Sequence, residues 1–162
     1  MAVSLICSET VSRVSSVLNR DVKQFGKKHM FDSNEETCWN SDQGATQWVL
    51  LEFPQEVRVS EVRVQFQGGF TGNTCRIEGC QKDEAFTKLA DFYPEDKNSL
   101  QISFEIGLYQ AVCSSVLSLT HTHSFPIHGG ALVRRVKIAF ENSTDFFGRV
   151  IVYTLDVLGD KV

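Results

Sequence analysis

The sequence predicts an all-β fold, an antiparallel sandwich with short helical turns near the N-terminus. Residues 57–66 alternate apolar and polar side chains, the period of a half-buried strand. Other short apolar runs are separated by turn-forming residues, and no apolar stripe of helical spacing has any length. Helix is predicted only near the start, as two turns in 12–18 and one turn in 27–31.

The predicted strands follow one another at short intervals. They are expected at 48–53, 57–66, 74–79, 86–92, 99–104, 136–140 and 149–158. The alternation slips by one residue near Glu61, which indicates either a turn between two strands or one bulged strand. In the last strand, the pattern places Ile151, Tyr153, Leu155 and Val157 on one face.

Length and charge narrow the class of protein. The 162 residues are the size of one domain, so a single domain over 1–162 is predicted. A net charge of −4 disfavours direct nucleic-acid binding, which usually needs a basic face. No signal-peptide pattern and no apolar run of about 20 residues is present, so an intracellular protein with no membrane partner is expected.

One segment does not fit the pattern of the rest. From Ile106 to Val133 the chain has no Asp, Glu, Lys or Arg. A surface loop usually carries charge, and a membrane helix would not contain so many Ser, Thr and His residues. The sequence therefore predicts an atypical uncharged insertion around 103–124, either strand-like or a poorly ordered loop.

Motifs for catalysis or metal binding are absent from the sequence. It contains no Gly-x-Ser-x-Gly, His-Glu-x-x-His or Gly-x-x-x-x-Gly-Lys pattern, so an enzyme is not expected. Five cysteines form no regular framework, and the pair Cys75 and Cys80 has no second pair of matching spacing for zinc. No metal or cofactor is predicted.

Asp32 and Asn34 raise the alternative of a calcium site. The segment is not an EF-hand, because Thr37 replaces the glycine at the sixth position and Gln43 the glutamate at the twelfth. We interpret Asp32 and Asn34 as residues that shape a tight loop, anchored in the core by Trp39.

Two loops provide the candidate contact residues for a protein partner. In the loop before the last strand, Phe146 and Phe147 stand next to Arg149, a combination typical of interaction hot spots. Core packing of both rings is the favoured interpretation, and the alternative is that one ring plugs the end of the sandwich while the other is exposed as a contact residue. Phe70 is the aromatic residue of the glycine-rich turn 68–73. No other site is predicted.

Several motifs resemble the discoidin-like (coagulation factor type C, galactose-binding-like) family. They are Phe31-Asp32, Thr37-Cys38-Trp39, the run 47–53 and the terminal Val157-Leu158-Gly159. The resemblance implies a jelly-roll β-sandwich of roughly eight strands. Relatives outside cells join their terminal strands by a disulfide, but no cysteine follows Cys113. Calcium-binding relatives place an acid where this chain has Thr154, so the resemblance does not imply calcium.

Longer stretches resemble a family of small intracellular proteins that associate with an orphan nuclear receptor. These stretches are 10–20, 24–29, 35–44, 91–96 and 145–150. The resemblance implies a nuclear protein, with the cytoplasm as a second location, that represses the receptor's transactivation by hindering its binding to DNA. A carbohydrate- or small-ligand-binding module and a scaffold subunit are the alternatives. No Leu-x-x-Leu-Leu helix is present, so the contact is expected from folded loop tips.

Overall fold

The computed structural model describes residues 2–103 and 130–162. The elements in chain order are β1 (Val3–Ser4), β2 (Val11–Val14), a 3-10 turn (Leu18–Arg20), α1 (Val22–Phe25), a second 3-10 turn (Lys27–Met30), β3 (Trp39–Asn40), β4 (Thr46–Phe66), β5 (Gly72–Cys80), β6 (Thr87–Phe92), β7 (Gln101–Ser103), β8 (Leu132–Ser143) and β9 (Ile151–Lys161). All strand pairs recorded between these elements are antiparallel.

The long strand β4 takes part in both layers of the sandwich. Its first part pairs with β2 and β8, and its second part pairs with β9 and β7. The register against β8 breaks between Glu52 and Val57, where the chain contains Pro54. One layer therefore runs β2-β4-β8-β5-β6 and the other β7-β4-β9-β1, with β3 also on β9. This arrangement confirms the predicted jelly-roll sandwich.

The core lies between the two layers and is filled by alternate residues of the strands. In β4, Val49 and Leu51 point inward from the first layer, and Val64 and Phe66 from the second. These side chains are fully buried, and Phe66 packs edge-on against Phe140 of β8, with ring centroids 5.6 Å apart. Each such side chain contributes about 1.5–3 kcal/mol through removal of its apolar surface from water.

The slip near Glu61 is a bulge in one continuous strand. Val59 pairs with Gly159 and Glu61 pairs with Leu158, so Ser60 is an extra residue. Its hydroxyl donates to the carbonyl of Leu158 at 3.2 Å. Because the bulge shifts the phase by one residue, Val62 returns to the core face.

The predicted helix over 12–18 is wrong. Val11–Val14 is the edge strand β2, which pairs with residues 49–52 of β4. Asn19 and Arg20 then take positive φ angles of 54° and 58°, which a regular helix does not allow. A helix of seven residues is marginal by itself, so pairing with β4 decides the conformation. The single turn predicted at 27–31 is confirmed as the 3-10 turn Lys27–Met30.

The face assigned to the last strand is also partly wrong. The register between β4 and β9 shifts where Gln65 pairs with Thr154 and Phe66 with Val152. Tyr153 is the extra residue and remains half-exposed, whereas Val152 is fully buried. A bulge on this strand therefore replaces one predicted core residue by its neighbour.

Two predictions remain predictions. The uncharged insertion around 103–124 lies, except for Ser103, outside the described residues, and the assignment of a single domain over 1–162 includes it.

Within the described part of the chain, no helix has the length and apolar character needed to cross a membrane.

Candidate protein-interaction surface

Four loops meet at one end of the sandwich, and we call this region the loop end. It comprises residues 41–45, 67–71, 93–100 and 144–150. Backbone hydrogen bonds join the loops in pairs: Ser41 N to Val150 O at 3.0 Å and Thr144 N to Thr71 O at 2.9 Å. The loop end therefore rests on hydrogen bonds between segments that are distant in sequence.

The turn after β8 is organised by the carboxylate of Asp145. Its Oδ2 accepts the backbone N–H groups of Phe147, at 3.2 Å, and Arg149, at 3.1 Å. The Nε of Arg149 donates to the same oxygen at 3.1 Å, and its Nη2 donates to Oδ1 at 3.3 Å. The guanidinium of Arg149 lowers the pKa of Asp145, whose side chain is only 10% exposed. Asp145 is therefore an ionised residue at the inside of the turn.

The two phenylalanines of this turn are outside the core. Phe146 is 93% exposed and Phe147 is 55% exposed, and their rings meet edge to face with centroids 5.2 Å apart. Core packing of both rings is therefore wrong, and neither ring plugs the end of the sandwich. The physical reason is that the backbone donors of the turn converge on Asp145, so the rings remain on the outside.

Phe70 and Arg149 come together beside this pair. The guanidinium carbon of Arg149 lies 5.4 Å from the centroid of the half-buried Phe70 ring, a cation–π contact. The Phe70 carbonyl accepts the N–H of Ile151 at 3.1 Å. The structure thus gathers all four predicted residues at the loop end. Among the described residues, the guanidinium of Arg149 contacts the ring of Phe70 and the carboxylate of Asp145.

A close backbone approach fixes loop 41–45 beneath the turn. Gly44 N donates to Phe147 O at 3.1 Å, and Gly148 adopts a φ of +82°. A Cβ at Gly148 would lie 2.1 Å from Gly44 O, so only glycine fits there. The turn that carries the phenylalanines therefore has a backbone support on its inner side.

The tryptophan-flanked loop belongs to the structural support of this end. Gln47 is 2% exposed, and its Oε1 accepts the hydroxyls of Ser15 at 2.6 Å and Ser16 at 2.8 Å. Its Nε2 donates to Asp42 O at 2.9 Å. Trp39 is fully buried and donates from Nε1 to Ser16 O at 2.9 Å. These bonds join the N-terminal segment to loop 41–45.

The Asp32 loop is shaped by its own side chains, as interpreted from the sequence. Asp32 Oδ1 accepts Asn34 N at 3.0 Å, and Oδ2 accepts the Thr37 hydroxyl at 2.6 Å. Partial burial opposes ionisation, but the hydrogen bonds from Thr37 and Asn34 outweigh it and lower the pKa of Asp32. Over residues 2–103 and 130–162, no group of three or more His, Cys, Asp or Glu side chains is placed to hold a metal ion.

Loop 93–100 adds residues to the surface that the sequence reasoning missed. Tyr93 is 66% exposed and Leu100 is 47% exposed. Between them, Asp96 Oδ1 accepts Gly69 N at 2.8 Å and the Thr71 hydroxyl at 2.9 Å. The available signal was the run Tyr-Pro-Glu-Asp at 93–96, because proline and acidic residues after a strand indicate a loop. Nothing local in the sequence indicates that this loop contacts 67–71.

Comparison with protein-family models identifies a known domain type. Residues 29–112 match a family model described as a NedA-like, galactose-binding domain. Among solved structures, the fold is similar to the F5/8 type C domain of a protein from Bacteroides fragilis. That match has a TM-score of 0.72 and covers 99% of this chain and 98% of the other, at 10% sequence identity. Such low identity supports the fold alone.

Curated proteins of similar sequence extend over nearly the whole chain. The nuclear receptor 2C2-associated protein of Danio rerio is 64% identical over 161 residues, which are 99% of each chain. The nuclear receptor 2C2-associated protein of Homo sapiens is 55% identical over 162 residues, which are 100% of each chain.

Proposed function

The chain belongs to the family of nuclear receptor 2C2-associated proteins, and we propose that it binds an orphan nuclear receptor through its loop end and represses transactivation by hindering the receptor's binding to DNA. Association with a nuclear receptor is the role that the names of the relatives give. The proposal adds three points: the loop end is the contact surface, the chain represses the receptor's transactivation, and it does so by blocking the receptor's binding to DNA.

The observation that carries the contact surface is the exposed pair Phe146 and Phe147. Large aromatic rings exposed to water gain free energy when a partner covers them, and aromatic side chains dominate binding hot spots. The ion pair of Asp145 and Arg149 holds the turn in place before binding. A turn that is already ordered loses less conformational entropy when a partner docks.

The sign of the charge supports occlusion of DNA. A receptor that binds DNA needs a basic surface to contact phosphates. This chain has a net charge of −4, and the four loops of the loop end carry more carboxylates than cations. An acidic protein is attracted to the same basic surface that DNA uses and competes with DNA for it.

A nuclear location belongs to the same proposal, with the cytoplasm as the second location. The chain acts on a receptor that binds DNA, so the two proteins must meet in the nucleus. Imaging of the tagged chain with and without the receptor checks this, and exclusion of the chain from nuclei that contain the receptor would contradict it.

A pull-down with fragments of nuclear receptor 2C2 tests the contact. Wild-type chain should retain the DNA-binding fragment, and the double variant Phe146→Ala/Phe147→Ala should retain much less. Val162→Ala is the matched control, because Val162 is 65% exposed and lies at the opposite end of β9, next to Glu56. Retention of only the ligand-binding fragment, or equal retention by the double variant, would contradict the proposal.

The family model supports carbohydrate binding as a second candidate function, because its description is that of a galactose-binding domain. A glycan array tests it with wild-type chain and with Phe70→Ala and Phe146→Ala. Binding to one class of glycan that both variants lose would favour this function. An array without signal would exclude it for the glycans present.

A further inference from the structure

The charges of the loop end do not balance internally. Its loops contain the carboxylates Asp42, Glu95, Asp96 and Asp145 and the cations Lys97 and Arg149. Both cations have partners of their own, since Lys97 Nζ lies 3.0 Å from Glu95 Oε2 and Arg149 forms the ion pair with Asp145. Within residues 2–103 and 130–162, no cation pairs with Asp96.

Asp96 is nevertheless held in a defined position. All its hydrogen bonds to the described residues go to Oδ1, from Gly69 N, the Thr71 hydroxyl and, at 3.5 Å, the Thr144 hydroxyl. Oδ2 accepts no hydrogen bond from that part of the chain, and the residue is exposed. The hydrogen bond from Gly69 N–H, together with those from the Thr71 and Thr144 hydroxyls, lowers the pKa of Asp96. The carboxylate is therefore charged at neutral pH.

The neighbouring loop residues fix this position further. Asn98 Oδ1 accepts Gly68 N at 2.8 Å, and Asn98 O accepts the Gln65 side chain at 2.9 Å. Loop 93–100 is therefore attached to loop 67–71 at two points, Asp96 and Asn98. Thr144, which contacts Asp96, precedes Phe146 by only two residues, so the carboxylate and the exposed rings both lie at the loop end.

We propose that the loop end recognises a basic side chain of its partner that stands beside apolar residues. Oδ2 of Asp96 receives an arginine or lysine of the partner, and the rings of Phe146 and Phe147 pack against the apolar neighbours. The inference rests on the proposed function for the identity of the partner. It adds the chemistry of the segment that the partner must present.

Charge complementarity favours this partner over an apolar or acidic one. A purely apolar partner would cover Asp96 and leave a desolvated carboxylate without a cation, which is unfavourable. An acidic partner would be repelled by the excess negative charge. A partner surface that is both basic and apolar pairs with the Asp96 carboxylate and covers the two phenylalanine rings. The fixed position of the carboxylate reduces the ordering that binding requires.

The variant Asp96→Asn tests the ion pair with little change of shape. The amide oxygen can still accept from Gly69, Thr71 and Thr144, so the loop stays folded while the charge is lost. Affinity for the nuclear receptor 2C2 DNA-binding fragment should fall by about three- to tenfold, and the salt dependence of binding should weaken. Asp160→Asn is the control, because Asp160 is an exposed aspartate near the far end of β9, outside the loop end.

A second measurement uses only the wild-type chain, so it needs neither the receptor nor a folded variant. N-acetyl-arginine amide is titrated into wild-type chain, with N-acetyl-citrulline amide as the uncharged probe of the same shape. The amide signal of Gly69, which donates to Asp96, should shift with the arginine probe and not with the citrulline probe. Equal responses to the two probes, or equal receptor affinity of Asp96→Asn and Asp160→Asn, would overturn the inference. Failure of the wild-type chain to bind receptor would instead contradict the proposed function.

Discussion

Arg149 and Asp145 form a two-point ion pair across one turn, with Nε 3.1 Å from Oδ2 and Nη2 3.3 Å from Oδ1. The same carboxylate accepts the backbone N–H groups of residues 147 and 149. A single acidic side chain thus organises the turn, and the aromatic side chains between the two charged residues are left for contacts outside the molecule.

Asp145→Ala should destabilise the fold and weaken receptor binding together. The substitution removes the acceptor of two backbone donors and one guanidinium, so the free energy of unfolding should fall by about 1–3 kcal/mol. Urea denaturation measures this change. Asp91→Ala is the control, since Asp91 pairs with Arg76 and Lys88 at an exposed edge, where such pairs contribute up to about 1 kcal/mol. An equal loss in both variants would contradict the central position of Asp145.

Stability should fall in acid because the folded pKa of Asp145 is lowered. An unfolded aspartate titrates near pH 3.9, so the unfolded chain binds more protons as the pH falls below about 4. The stabilisation is therefore complete above that pH and is lost as the pH decreases through the lowered folded value. Urea denaturation at pH 5, 4 and 3 should show a steeper decline for wild type than for Asp145→Asn. Parallel declines would show that Asp145 does not contribute.

Gly148→Ala should destabilise the loop end far more than Gly69→Ala. Both glycines have positive φ, +82° and +88°, so both substitutions introduce backbone strain of about 1 kcal/mol. Only at Gly148 would the Cβ also collide with a carbonyl, that of Gly44, whereas nothing lies within 4 Å at Gly69. A further loss of about 1–3 kcal/mol is expected at Gly148. Similar melting temperatures for the two variants would contradict the close approach.

Gln47→Leu should destabilise the chain through lost hydrogen bonds rather than lost volume. The hydroxyls of Ser15 and Ser16 would lose their acceptor, and Asp42 O would keep the Ser41 hydroxyl but lose its second donor, which together costs about 2–3 kcal/mol. Gln55→Leu is the matched change at an exposed position in the bend of β4. If both variants melt at the wild-type temperature, the bridge through Gln47 does not support the loop end.

The sequence was sufficient for those parts of the fold that depend on local periodicity. The alternation through β4 predicts which residues between 57 and 66 face the core, because each inward side chain is apolar. The slip in that alternation also predicts the position of the bulge. The burial of Trp39 and the side-chain hydrogen bonds of Asp32 follow equally from local chemistry. These features need no knowledge of distant partners.

Other features depend on partners far along the chain and could not be read locally. Val11–Val14 is a strand because β4 offers an edge to pair with, and Tyr153 leaves the core because β4 and β9 must stay in register. At the candidate site, Phe70, Phe146, Phe147 and Arg149 were recognised by residue type. Asp96 was missed because its position depends on hydrogen bonds to loops 25 and more residues away.

Competition for DNA tests the central claim most directly. A labelled DNA site is bound to the nuclear receptor 2C2 DNA-binding fragment, and fluorescence anisotropy follows its release as wild-type chain is added. Wild type and the control Val162→Ala should release the DNA at the same concentration. The double variant Phe146→Ala/Phe147→Ala should need at least about tenfold more protein, because it lacks the hot-spot rings. DNA that stays bound at saturating wild-type chain, or equal release by the double variant, would contradict the account.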